Sequence, residues 1–282
     1  MMKIGVNVWV WESPFRTDLH LDLLSRAKSL GAEVVEFALE DDSVFDTGAL
    51  RRTLESHELE CSVIGLFGSR RDLSSPDPAT RLKGMEYAKR CLATAAEMGA
   101  TLYSGAVVGV GGAEVLSRED RVVRLQRAAE CLHELGDCAA KMGVSFAVEV
   151  LNRYETNLVN TAEEARSLID TVGHRSVGIH LDTFHMSIEE RSIGAAIRVA
   201  GDKLFHMHGS ESHRGTPGDG NIQWGEVASA LNDVNFVRYV VIESFNPKGR
   251  LAPLARFWRP YANSPEALAR NGIAFLRGAL SA

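Results

Sequence analysis

Eight short apolar runs punctuate the chain at near-even spacing: KIGVNVWVW (3–11), EVVEFAL (33–39), ECSVIGLF (60–67), TLYSGAVV (101–108), VSFAVEV (144–150), SVGIHLD (176–182), KLFHMHG (203–209) and RYVVIES (238–244). Each is nearly continuous in its apolar character rather than alternating, as a parallel strand covered on both faces requires. Between the runs the period changes. Leu82, Met85, Leu92 and Ala95 recur at helical spacing before the fourth run, and Leu125, Ala128, Leu132 and Leu135 do so before the fifth. The glycines of LGA (30–32), MGA (98–100) and MGV (142–144) stand where a helix must end in a left-handed residue just before the next strand. Eight strand–helix units with no linker or shift of composition predict one domain over residues 1–282, an α/β fold consisting of a single (β/α)8 TIM barrel. A doubly wound open sheet is the competing arrangement, but no GxGxxG follows the first strand and the even spacing favours closure.

Three connections exceed the ordinary length: 67–79, 209–223 (GSESHRGTPGDGNIQ) and 245–263 (FNPKGRLAPLARFWRPYAN). All three follow a strand and precede a helix. In a barrel that places them on the C-terminal rim, where long loops cover a ligand.

Composition narrows the partners. The chain of 282 residues is 45% hydrophobic, enough for a large core, and carries a net charge of −6. No basic run exists that would neutralise a nucleic-acid backbone or an anionic membrane, so neither is an expected partner. No window approaches eighteen uninterrupted apolar residues and the first residues do not read as a leader, which gives a cytoplasmic expectation. Cys61, Cys91, Cys131 and Cys138 lack CxxC spacing and read as reduced, buried thiols.

The candidate chemistry sits at the strand ends. Glu149, Asp182, His208 and Glu243 close the fifth to eighth runs, each about one strand–helix unit after the last. Singly, each has an ordinary job: His208 as a core histidine, Asp182 as the N-cap before TFHMSIEE, Glu243 as a rim ion pair. Together, three carboxylates and an imidazole at one rim repel and desolvate one another unless a divalent cation neutralises them. The oxygen-rich set suits Mn²⁺, Mg²⁺ or Co²⁺ with positions left for substrate oxygens, rather than structural zinc. Elsewhere, Trp9 and Trp11 on the first strand, followed by Glu12, are either a pocket wall or barrel filling. Glu36 reads as a buried ion-pair partner, with the orienting of another polar group at the rim as the alternative, Arg70 and Arg71 as a solvated loop with a phosphate grip as the alternative, and His206 as a residue behind His208.

The stretches EVLNRYE, LDTFHMSIEE, HMHGSESHR, PGDGNIQW and VVIESF resemble those of the ketose 3-epimerases, the D-tagatose/D-allulose 3-epimerase family of the xylose-isomerase-like barrels. The resemblance is specific over residues 144–245 and general over the first 110. It implies that Glu149, Asp182, His208 and Glu243 bind a divalent metal, Mn²⁺ foremost with Co²⁺ or Mg²⁺ as alternatives. It implies that Glu149 and Glu243 are also the catalytic acid/base pair, and that Glu155, His185 and Arg214 hold the substrate's oxygens. The implied activity is inversion of C3 of a free ketose through a cis-enediolate, with a small sugar as partner and a homodimer or homotetramer as the assembly. Such chemistry needs two carboxylates flanking a planar intermediate and a cation to make the C3 proton acidic. The chain departs from the family pattern at His213, where Asn precedes the arginine, at Ser244, where Pro is usual, and in SGAVVGVGGAEV, which lacks a tryptophan. Those departures concern the distal pocket. An aldose–ketose isomerase would share the metal and both glutamates; a non-catalytic sugar-binding protein would need neither glutamate; an AP endonuclease would call for more metal ligands and a basic face.

Overall fold

A computed structural model, describing residues 2–41, 43–112 and 114–281, joins the apolar runs into a closed parallel barrel in chain order. Its strands are β1 (Lys3–Asn7), β2 (Val34–Leu39), β3 (Glu60–Gly65), β4 (Leu102–Gly105), β5 (Ser145–Glu149), β6 (Val177–Asp182), β7 (Leu204–His208) and β8 (Tyr239–Ile242). Pairing of β8 with β1 closes the ring and removes both sheet edges, which excludes the open sheet. Each strand is shorter than its apolar run, with the largest losses at the C-terminal ends, where the chain leaves the sheet to build the rim. Trp9 and Trp11, expected on the first strand, lie beyond it: the Asn7 side chain accepts from the Trp9 backbone N–H at 2.9 Å and starts a 3-10 turn over Val8–Val10.

The outer ring consists of α1 (Thr17–His20) with α2 (Leu23–Ser29), α3 (Thr47–Ser56), α4 (Pro78–Met98), α5 (Arg118–Met142), α6 (Ala162–Val172), α7 (Thr183–Glu189) with α8 (Ile193–Ala200), α9 (Trp224–Asp233) and α10 (Pro265–Leu280). Short polar side chains start several of them: Asp46, Asp77, Ser117, Thr161, Ser192 and Ser264 each accept from a backbone N–H of the first turn. The glycines of LGA, MGA and MGV have φ of +98°, +82° and +70°, the left-handed conformation expected of them. Met85, Leu92 and Ala95 are buried against the barrel, but Leu82 is 59% exposed. At 3.6 residues per turn Leu82 falls at the margin of the arc defined by the other three, so it faces solvent. On α5, Ala128, Leu132 and Leu135 are buried and Leu125 packs at the edge.

The three long connections open at the C-terminal rim as expected. The connections after β4 and β5 join them there, tied together by a bridge between Val110 and Thr156 and to the loop after β3 by the Gly109 N–H on Asp72 Oδ1 at 2.9 Å. Cys61 and Cys91 are buried, Cys131 and Cys138 half-buried, and all four are free thiols. Among the described residues no helix is long and apolar enough to cross a membrane.

The loop after β3 rests on α4 so closely that a Cβ on Gly84 would lie 2.3 Å from the Arg71 carbonyl oxygen and 2.8 Å from Leu73 Cδ2. Gly84→Ala is therefore expected to destabilise the fold by about 1–3 kcal/mol through overpacking, measured as a lower melting temperature; an unchanged transition would contradict this packing.

Candidate metal and active site

The barrel register brings the strand-end residues to one level. Glu149 pairs across to His180 and Asp182 to His208, while Glu243 directly follows β8. A register irregularity between Ile179 and His180 sets His180 opposite His206 and Asp182 opposite His208, so the inward positions of β6 and β7 coincide. One ligand atom from each of Glu149, Asp182, His208 and Glu243 then lies within 4.8 Å of the others. His208 Nδ1 is 3.5 Å from Glu243 Oε2, 3.6 Å from Asp182 Oδ2 and 3.9 Å from Glu149 Oε1, and it makes no hydrogen bond. A buried imidazole nitrogen without a hydrogen bond, facing three carboxylates, is what a hard divalent cation with mixed O and N ligands fits. Asp182 serves both roles weighed for it. Its Oδ1 caps α7 by accepting from the Phe184 N–H at 2.7 Å, and its Oδ2 faces the cluster.

Burial and crowding polarise these groups. Burial, reinforced by Glu243, holds the Glu149 carboxyl well above the usual carboxylate range. Burial pushes Asp182 the same way, but the Arg214 guanidinium overrides it and holds that carboxyl far below its ordinary value. Burial, then Arg214, depresses His185 to about 3, so its ring is neutral at working pH.

Arg214 reaches this cluster from the long loop after β7. Its Nη1 contacts Asp182 Oδ2, lies 2.5 Å from Glu243 Oε2 and donates to Ser210 Oγ at 3.1 Å. The guanidinium stacks 4.1 Å over the Phe184 ring. The residue itself is held at φ +64°, a conformation costly for any side chain but glycine. Two contacts hold it there: the Arg214 N–H donates to the Glu211 carbonyl at 2.9 Å, and Ser244 Oγ donates to the Arg214 carbonyl at 2.7 Å. Glu211, fully buried, fastens the loop by accepting from the Gly218 N–H and Trp224 Nε1, both at 2.8 Å. Ser244, noted only as a departure from a pattern, thus supports the arginine.

Asn152 does the same for His185. Its backbone N–H donates to His185 Nδ1 at 3.2 Å, its Nδ2 lies 3.2 Å from Glu155 Oε1, and Arg214 Nη2 approaches the other ring nitrogen, His185 Nε2, at 3.1 Å. Neither Asn152 nor Glu211 has a role assigned from the sequence; both lie inside the stretches EVLNRYE and HMHGSESHR, which are the available signal.

A cavity of about 670 Å³ opens above the cluster, with Glu149, Glu155, His185, Arg214 and Glu243 in its wall. Trp9 also lines it, stacked on Phe245 at 5.4 Å, whereas Trp11 is buried packing outside the lining. Arg70 and Arg71 both line it; Arg70 is exposed, as a solvated loop requires, and Arg71 is half-buried. Arg71 is held by Asp41, by the Leu66 carbonyl and by the Tyr87 ring at 4.0 Å. Glu36 and His206 sit deeper in the barrel, hydrogen-bonded to each other at 2.8 Å, and Glu36 also meets His208 Nε2 at 2.7 Å.

Comparison with known proteins identifies the family of the chain. The family described as xylose isomerase-like TIM barrel matches residues 24–279. The chain is 31% identical over 284 residues to a ketose 3-epimerase of Arthrobacter globiformis, spanning 100% of this chain and 98% of that one. It is 30% identical to a D-psicose 3-epimerase of Agrobacterium fabrum, with 98% of each chain covered. A solved L-ribulose 3-epimerase superposes with a TM-score of 0.93 at 29% identity, covering 100% of this chain and 95% of the other. A D-psicose 3-epimerase crystallised in the presence of D-fructose gives 0.89 at 29% identity, with 100% of both chains covered.

Because folding gathers the four candidate ligands, a cation bound there should stabilise the native state, the more so the higher its free concentration. Exhaustive chelation is expected to lower the melting temperature, Mn²⁺ or Co²⁺ to restore it, and Asp182→Ala to abolish the response. A melting temperature indifferent to both treatments would remove the metal from this site.

Proposed function

This chain belongs to the xylose isomerase-like TIM barrel family and, within it, to the ketose 3-epimerases, and from that premise we propose that it inverts C3 of a free ketose with Glu149 and Glu243 as the two proton carriers. The observation that carries the reading is that both carboxylates line one cavity while sharing one cluster with Asp182 and His208. A divalent cation held by Glu149, Asp182, His208 and Glu243, Mn²⁺ by preference and Co²⁺ or Mg²⁺ otherwise, supplies the Lewis acid that makes a proton beside the carbonyl acidic.

The chain's own residues do the rest. One glutamate takes the C3 proton from one face of the sugar, and the other returns a proton to the opposite face of the planar enediolate; the roles exchange in reverse. Arg214, charged and rigidly held, faces the sugar oxygens on which negative charge grows. His185 and the Glu155 carboxylate, both in the cavity wall, hold the sugar hydroxyls. Trp9 and Phe245, stacked on each other, form an apolar wall of the cavity. The four free thiols suit a reducing cytoplasm. Leu254 and Trp258, 79% and 72% exposed on the loop after β8, favour a homodimer or homotetramer that covers them.

Arg214→Ala is expected to raise KM and lower kcat together, since the same guanidinium serves bound sugar and enediolate; unchanged kinetics would place Arg214 outside the reaction. The reaction itself is tested by incubating metal-loaded protein with D-fructose, D-tagatose, D-allulose, L-ribulose and D-xylulose in D₂O and resolving the products. C3 epimers with solvent deuterium at C3 are expected, whereas aldose products would indicate an isomerase. Glu149→Gln and Glu243→Gln should each lose about 10²–10⁴-fold in both directions, yet each should still exchange deuterium into one epimer, and not the same one. Exchange of the same epimer by both variants would overturn the two-carboxylate mechanism.

A further inference from the structure

We propose that Glu36, one level below the cluster inside the barrel, is a positioning residue that selects the tautomer and bearing of His208 and so sets the affinity of the site for its cation. The inference rests on the reading of His208 as a metal ligand; it is independent of which sugar is turned over.

Glu36 lies on β2 with no exposed surface. Its Oε1 accepts from Asn7 Nδ2 at 2.9 Å and lies 2.7 Å from His208 Nε2. Its Oε2 accepts from Ser62 Oγ at 2.9 Å and lies 2.8 Å from His206 Nε2. Four donors from β1, β3 and β7 thus saturate one carboxylate. An ionised carboxylate only accepts, so each of the two imidazoles must carry its proton on Nε2. With a lone pair there instead, two acceptors would stand 2.7 Å apart in a dry interior.

The consequence falls on the other nitrogen. Once Nε2 carries the proton, neutral His208 presents the Nδ1 lone pair, and Nδ1 is the atom that faces Glu149, Asp182 and Glu243. Only that tautomer can ligate. The ring has little other guidance: His180 packs on it at a centroid distance of 4.1 Å and 83°, which restrains its plane but not the position of its proton. His180 itself makes no hydrogen bond through either nitrogen, so it cannot substitute for Glu36. A glutamate needed only to satisfy the barrel interior would be served by Asn7, Ser62 and His206. The bond to His208 is the one that reaches the metal ligands.

The test measures metal affinity without sugar. Apo-protein is titrated with Mn²⁺ in competition with a chelator, and the visible spectrum of the Co²⁺ form reports the ligand set. Loss of a partner behind a ligating histidine typically costs 10–100-fold in metal affinity, and about that loss is expected for Glu36→Leu, with an altered Co²⁺ spectrum. Glu36→Gln, which keeps an acceptor of the same size but not the charge, should lose less. In a His208→Ala background Glu36→Leu should cause no further loss, since its route to the metal has gone. Affinity unchanged in both Glu36 variants, or an equal loss with and without His208, would overturn the proposal. Should circular dichroism show Glu36→Leu unfolded, Glu36→Gln alone decides, by the same two criteria. Wild-type protein that binds neither Mn²⁺ nor Co²⁺ would overturn this inference together with the metal centre. Glu36-dependent binding in a protein that epimerises no ketose would leave it standing and remove only the epimerase reading.

Discussion

Three carboxylates crowded around one imidazole at the ends of β5 to β8 make a concentration of negative charge that water cannot relieve, since Asp182 and His208 are fully buried and Glu149 and Glu243 nearly so. Each ionised group taken from water costs several kcal/mol unless it is paired. The surroundings answer that cost from two directions. Arg214 comes in from the loop after β7 to meet Asp182 and Glu243, and Glu36 receives His208 from below. Both supports are themselves supported, Arg214 by Glu211, Ser210 and Ser244, and Glu36 by Asn7 and Ser62. A closed parallel barrel is suited to this because every strand delivers its last residue to the same rim.

The barrel was legible because its strands, buried on both faces, leave continuous apolar runs that neither helices nor amphipathic strands produce. The strand-end cluster was legible for a related reason. A charged residue closing an apolar run has no ordinary solvent-facing position to occupy, and four consecutive runs end that way. What escaped was whatever depends on the path of the rim. Trp9 and Trp11 look alike in an apolar run, but the 3-10 turn that follows Asn7 turns one into the cavity and the other into packing. Leu82 fits the helical period of its neighbours and still faces solvent, because periodicity locates an arc and not its margins.

Residues that act through others were the hardest to read. Asn152, Glu211 and Ser244 act on the loops: they fix His185 and Arg214, and their partners are set by loop geometry rather than by spacing. Glu36 was read as a buried ion-pair partner; its buried partners are His206 and His208, and which histidines it meets depends on the barrel bringing β2 opposite β7. The departures from the family pattern now separate. Ser244 supports the arginine, while His213 leans on Tyr261 at 5.5 Å, away from the lining of the cavity. The segment without a tryptophan instead supplies Val110 and Gly111 to the far wall, beside Arg70 and Arg71.

The account turns on where the cation sits. Anomalous diffraction from Mn²⁺-soaked crystals, recorded on both sides of the manganese absorption edge, locates it directly. One peak per chain is predicted, coordinated by Glu149, Asp182, His208 through Nδ1, and Glu243. A peak held instead by His180 and His206, or coordination of His208 through Nε2, would contradict both the ligand set and the place of Glu36 behind it.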